Sequence, residues 1–191
     1  MLTKKNLLFR KKVSLKFVEF MNQQNIDYLF LGHISNFPTK LNSDVDFFID
    51  FKNYDELKKI IKKFTNKYKL KISNIIRHEY NSYYIIVSKQ INKEFYFIAL
   101  DICNSYVIKS RELIKFKNLE KKLVYKEKFK LYTPLDKNLF HYYILKKVYK
   151  NDINIQSFKF LKKIFLSLKK NDFDFFYDKD TYISLTKIFN T

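Results

Sequence analysis

The chain of 191 residues holds one glycine, two prolines, one cysteine and no tryptophan. A lone Cys103 excludes an internal disulfide, and no Cys/His group has the spacing of a zinc site. No run reaches the roughly 18 uninterrupted apolar residues of a membrane-spanning helix. The basic N-terminus, MLTKKNLLFRKK, lacks the apolar stretch of a secretory signal. The expectation is a cytoplasmic chain with no transmembrane segment. Acids are scarce as well: 19 Asp and Glu stand against 38 Lys and Arg, a formal charge of +19. Such an excess can attract nucleic acid, anionic membrane or phosphorylated substrates. The basic residues are nevertheless spread along the whole chain, and the wealth of Asn, Ile, Phe and Tyr is that of an AT-rich coding sequence. Nucleic acid therefore stays open as a partner on charge alone. With 47% hydrophobic and 19% aromatic residues, disorder is excluded.

In a chain so poor in permissive residues, Gly32 marks a turn or a close approach that a side chain would block. Tyr28 to Leu31 before it, and Val45 to Ile49 after it, read as strands. Side chains alternate along a strand, so Asp44 and Asp46 share one face while Val45, Phe47 and Ile49 share the other. Two like charges that close repel, and a hard divalent ion such as Mg²⁺, which prefers oxygen ligands, relieves the repulsion.

Further along, residues 11 to 24 keep helical spacing, with Val13, Phe17, Val18, Phe20 and Met21 on one side. Asn53 with Glu56 three residues on has the form of a helix cap, followed by Leu57, Ile60, Ile61, Phe64 and Tyr68. Three β-rich runs follow near Lys71 to Arg77, Tyr83 to Ser88 and Glu94 to Ile102, joined by short turns that predict antiparallel neighbours in a mixed sheet. The last run carries Asp101 toward the acidic pair. Val124 to Tyr132 suits a strand or hairpin arm. Thr133, Pro134 and Asp136 then read as cap, first helical residue and first-turn acid, opening a helical region with patterns at Leu139 to Tyr149, Phe158 to Leu168 and Tyr182 to Phe189. A second acidic pair, Asp172 and Asp174, lacks an upstream glycine and reads as a turn or cap. Asp50 reads as structural, Cys103 has no assigned role, and His33, His78 and His141 have no metal-site spacing, His33 alone standing where a role can be tested.

Gly32, the ten residues Ile34 to Ser43 beyond the Gly32-His33 pair, and then Asp44-Val45-Asp46 resemble the signature of the polymerase-beta-type nucleotidyltransferase superfamily. The resemblance implies an α+β fold, a mixed sheet flanked by helices, with a core over residues 1–118 and a C-terminal helical subdomain over 119–191. It implies transfer of a nucleoside monophosphate from a nucleoside triphosphate to an acceptor: a small molecule, glycan precursor, protein or RNA. Asp44, Asp46 and Asp101 would be both catalytic residues and ligands of two Mg²⁺ ions. Gly32 would admit the phosphates. His33 stands where the family has Gly or Ser, Ser35 is the substitute for that contact, and Lys40 offers a cation. The alternative is a catalytically inactive module of the same fold that binds RNA or a protein partner, a reading favoured by His33.

Overall fold

The structure is a computed structural model that describes residues 3–32, 37–39, 41, 44–108, 111–120, 123–127, 130–174 and 176–190. The chain divides into two units, 1–133 and 134–191. In the first unit, helix α1 (Lys4–Gln23) begins with the Thr3 side chain accepting the Asn6 N–H. It starts earlier than the sequence expectation because its buried line, through Asn6, Arg10, Val13, Phe17 and Met21, continues at helical spacing upstream of residue 11.

Strands β1 (Tyr28–Phe30), β2 (Val45–Ile49), β3 (Lys71–Glu79), β4 (Ser82–Ile91) and β5 (Glu94–Cys103) form one mixed sheet in the order β1-β2-β5-β4-β3. Only the β2–β5 pair is parallel. Parallel neighbours need a long crossover, and the chain between them holds helix α2 (Tyr54–Lys67), β3 and β4. The Asn53 cap is as expected: its side chain accepts the Glu56 N–H at 3.0 Å, while Glu56 reaches back to the Lys52 N–H at 2.7 Å.

One face of the sheet is the core. Val45, Phe47 and Ile49 of β2, Tyr83, Ile85 and Val87 of β4, and Ile98, Leu100 and Ile102 of β5 pack with Phe17, Phe20 and Met21 of α1 and Leu57, Ile61 and Phe64 of α2. Phe17 meets Phe47 and Phe64 edge-on, with ring centroids 5.2 and 4.9 Å apart. With so little glycine, the tight turns use other residues: Asn81 between β3 and β4, and Asn92 with Lys93 between β4 and β5, hold φ of 56°, 50° and 65°. Asparagine tolerates this left-handed region better than most side chains.

Beyond the sheet, β6 (Ser105–Ile108) pairs with β7 (Arg111–Lys115), followed by the short helix α3 (Phe116–Glu120), none of which the sequence pattern predicted. Strands β8 (Leu123–Lys126) and β9 (Leu131–Pro134) form a further two-stranded sheet. Here one expectation is corrected. Thr133 and Pro134 end β9 instead of opening a helix, and helix α4 (Asp136–Lys150) begins with Leu135 at its cap and no side-chain capping bond. The strand pairing claims the two residues before the helical pattern can.

The second unit comprises α4, α5 (Ile155–Ser167) and α6 (Lys179–Asn190), packed through Phe140, Leu161, Ile164, Phe165, Phe173, Leu185 and Phe189. Asp172 serves as a turn residue, its Oδ2 accepting the Lys169 N–H at 2.9 Å. Among the described residues no helix is long and apolar enough to cross a membrane.

Candidate active site

The register of the parallel pair decides the site. Val45 lies opposite Leu100 and Asp46 opposite Asp101. Because Val45 and Leu100 are in the core, alternation sends Asp46 and Asp101 to the other face together. Asp44, just before β2, joins them: each of the three offers a carboxylate oxygen, and these atoms all lie within 4.8 Å of one another. All three residues are partly buried. Pocket detection by volume points elsewhere, to a cleft near Asp27, Asp50 and Lys59 at the far end of β2; the acids instead lie on an open sheet face.

The donor set suits a hard cation. Three carboxylates are oxygen ligands, and partial exposure leaves room for water or phosphate oxygens to complete an octahedral shell, as Mg²⁺ demands. Converging like charges also carry a repulsive cost that a divalent ion removes.

Gly32 sits next to this cluster through backbone: the Leu31 N–H donates to the Asp46 carbonyl at 3.0 Å. A Cβ on Gly32 would overlap the Phe30 ring, lying 2.9 Å from its Cε2 and closer still to Cζ. Gly32 has no positive φ, so close approach, one of the two expected reasons for the glycine, is the one that applies. The ring is fixed in turn by Phe37 and Phe47, at centroid distances of 4.8 and 5.8 Å. His33, Ser35 and Lys40 lie outside the described residues.

Three residues that the sequence pattern did not single out surround the acids. His78, in an irregular stretch of β3, brings Nε2 to 3.0 Å from Asp101 Oδ1. The tautomer protonated at Nε2 donates this bond. Tyr84 of β4 lies opposite Asp101. Its hydroxyl pKa is raised, first by burial and then by the charge of Asp44, with Asp101 and Asp46 adding to the effect and Arg10 opposing it. Arg10 of α1 is 5% exposed. Its Nη1 donates to the Leu41 carbonyl at 3.1 Å and its Nε to the Phe97 carbonyl at 3.3 Å, tying the loop before Asp44 to β5. Burial pulls the guanidinium pKa down, while Tyr84 and Asp44 pull it up. An arginine in line with Val13 and Phe17 on an apolar helix face is a readable signal, since buried arginines are rare without partners. His78 has no such signal, because its position depends on a strand irregularity.

The sheet order, the acids at the start of the second strand and the third acid on its parallel neighbour have the form implied by the resemblance to polymerase-beta-type nucleotidyltransferases. The architecture is of that nucleotidyltransferase type. Among solved structures, the chain is similar to an inferred nucleotidyltransferase from H. pylori, with 17% identity over 99% of this chain and 95% of that one and a TM-score of 0.38. It is also similar to JHP933 from Helicobacter pylori, with 17% identity over 85% of this chain and 75% of that one and a TM-score of 0.36. No protein-family model and no curated protein matches the chain.

Proposed function

We propose that the protein is a metal-dependent nucleotidyltransferase that moves a nucleoside monophosphate from a nucleoside triphosphate to the hydroxyl or other nucleophilic group of an acceptor. The observation that carries the reading is the meeting of Asp44, Asp46 and Asp101 within 4.8 Å on one sheet face. Asp44 and Asp46 would hold both Mg²⁺ ions, and Asp101 would complete the site on the acceptor side. Bound there, Mg²⁺ would neutralise phosphate charge and lower the pKa of the attacking group.

The chain's own residues divide the remaining work. Gly32 and the loop after it, with His33, Ser35 and Lys40, would face the triphosphate. Asp101 would take the proton of an acceptor hydroxyl as its oxygen bonds to the α-phosphorus; the bond from that phosphorus to the bridging oxygen breaks and pyrophosphate leaves. His78, bonded to Asp101 Oδ1, holds the carboxylate in one orientation. Arg10 anchors the loop that presents Asp44.

The test is thermal unfolding with ATP, CTP, GTP and UTP, each with and without Mg²⁺, for the native chain and Asp44→Asn. A stabilising shift with at least one nucleotide, dependent on Mg²⁺ and lost in the variant, is expected. No shift with any nucleotide defeats the reading.

A further inference from the structure

The acids occupy one end of a sheet face that has no helix of the first unit's core on it. Asp46, Asp101, Tyr84 and Ile76 form a row across four strands. Toward the turn between β4 and β5 the same face continues through Ala99 opposite Ile86, Phe97 opposite Ser88 and Phe95 opposite Gln90. Alternation on a half-exposed strand favours polar residues outward, yet Phe97 is 41% exposed, Phe95 70% and Ile76 45%. A contiguous apolar surface rimmed by polar groups marks a binding site more often than chance exposure. The rim is present: Ser73 and Ser88 hydroxyls lie 2.6 Å apart at its border, with Asn74 beside Ile86.

Charge narrows the occupant. The chain carries +19, but the positions between Asp101 and Phe97 on this face are Ala99, Tyr84, Ile86 and Ser88, none of them basic. A polyanion would meet three carboxylates here with no lysine among those positions to offset them, and phosphate-backbone binding depends on such cations. A neutral body meets no such penalty. Position narrows it further, on the proposed transferase reading. In an in-line displacement the attacking and leaving groups lie on opposite sides of the phosphorus. With the triphosphate on the Gly32 side of the acids, the attacking group approaches from the β5–β4 side.

We propose that this face, with Phe97 at its centre and Tyr84, Ile86 and Phe95 around it, is the acceptor platform, and that the acceptor is a neutral hydroxyl compound with a flat aromatic body. Phe97 offers the stacking surface; the Arg10 guanidinium, 5.2 Å from its ring centroid, fixes the ring. The inference rests on the transferase reading for the word acceptor, and on the face alone for the binding.

The test is nuclear magnetic resonance titration of the full chain with N-acetyltyrosinamide as the neutral aromatic alcohol and a short RNA oligonucleotide as the polyanion, without nucleotide or metal. Expected are saturable shifts at Phe97, Ile86 and Tyr84 with the alcohol, and an affinity loss of about five-fold or more in Phe97→Ser, in line with about 1 kcal/mol for an aromatic contact. Phe95→Ser, at a more exposed position, gives a second variant should Phe97→Ser unfold. Shifts confined to other surfaces, no effect of either substitution, or RNA perturbing this face while the alcohol does not, would each overturn the platform. If the alcohol binds as expected while no nucleotide produces a Mg²⁺-dependent thermal shift, the platform stands and the transferase reading falls.

Discussion

Replacing Asp44 by asparagine removes one charge from the cluster with little change of volume. Transfer should fall by at least about 100-fold while the melting temperature holds or rises slightly, because repulsion is relieved; a turnover assay beside thermal unfolding measures both. His78→Ala should weaken Mg²⁺ affinity by about ten-fold, the lower range for losing a residue that orients a ligand, and His78→Gln, which keeps a donor, should recover most of it in a metal titration. Gly32→Ala tests a packing constraint. The added methyl meets the buried Phe30 ring, so a loss of about 1–3 kcal/mol in denaturant unfolding is expected, and Phe30→Leu in the same chain should return part of it. His141 supplies a pH signature. Burial holds its pKa down to about 4 from 6.5, so the folded state resists a proton that the unfolded chain accepts. Its contribution is whole above pH 6.5 and fades as pH falls toward 4, by about 1–2 kcal/mol once partial solvent screening is allowed for. In urea unfolding, His141→Phe should flatten that slope.

At the scale of elements, what could be read in advance followed how much of each element's pattern is local. Helix α2 was legible in full, because its cap, its first-turn acids and its apolar stripe lie in one stretch; Asn53→Ala should cost about 1 kcal/mol in thermal unfolding. The β3 to β5 meander was legible from alternation and turn residues, and with it the face on which Asp101 lies. The parallel pairing of β2 with β5 was expected only through the family resemblance, since nothing local in Val45 to Ile49 specifies a partner so far along the chain. Thr133 and Pro134 misled because a cap signature and a strand end use the same residue types. His78 was hidden for a related reason: a β-bulge sets where that side chain points, and no residue in the stretch announces one.

For the molecule as a whole, the charge of +19 is a standing cost of self-repulsion. Raising NaCl from about 20 to 200 mM shortens the screening length from roughly 20 Å to under 10 Å, so the urea midpoint should rise with salt, a trend that circular dichroism can follow. A midpoint independent of salt would mean that the charges are already balanced by local pairing. The facing of Asp46 and Asp101 across a parallel pair has a developmental consequence. A slip of one residue turns one of the two away, so an ion-binding centre is absent from every misaligned or half-made chain and comes into being only when the fifth strand has found the second. Mg²⁺ would then act as a proofreader of strand alignment, holding correctly assembled molecules in the native population and doing nothing for the rest.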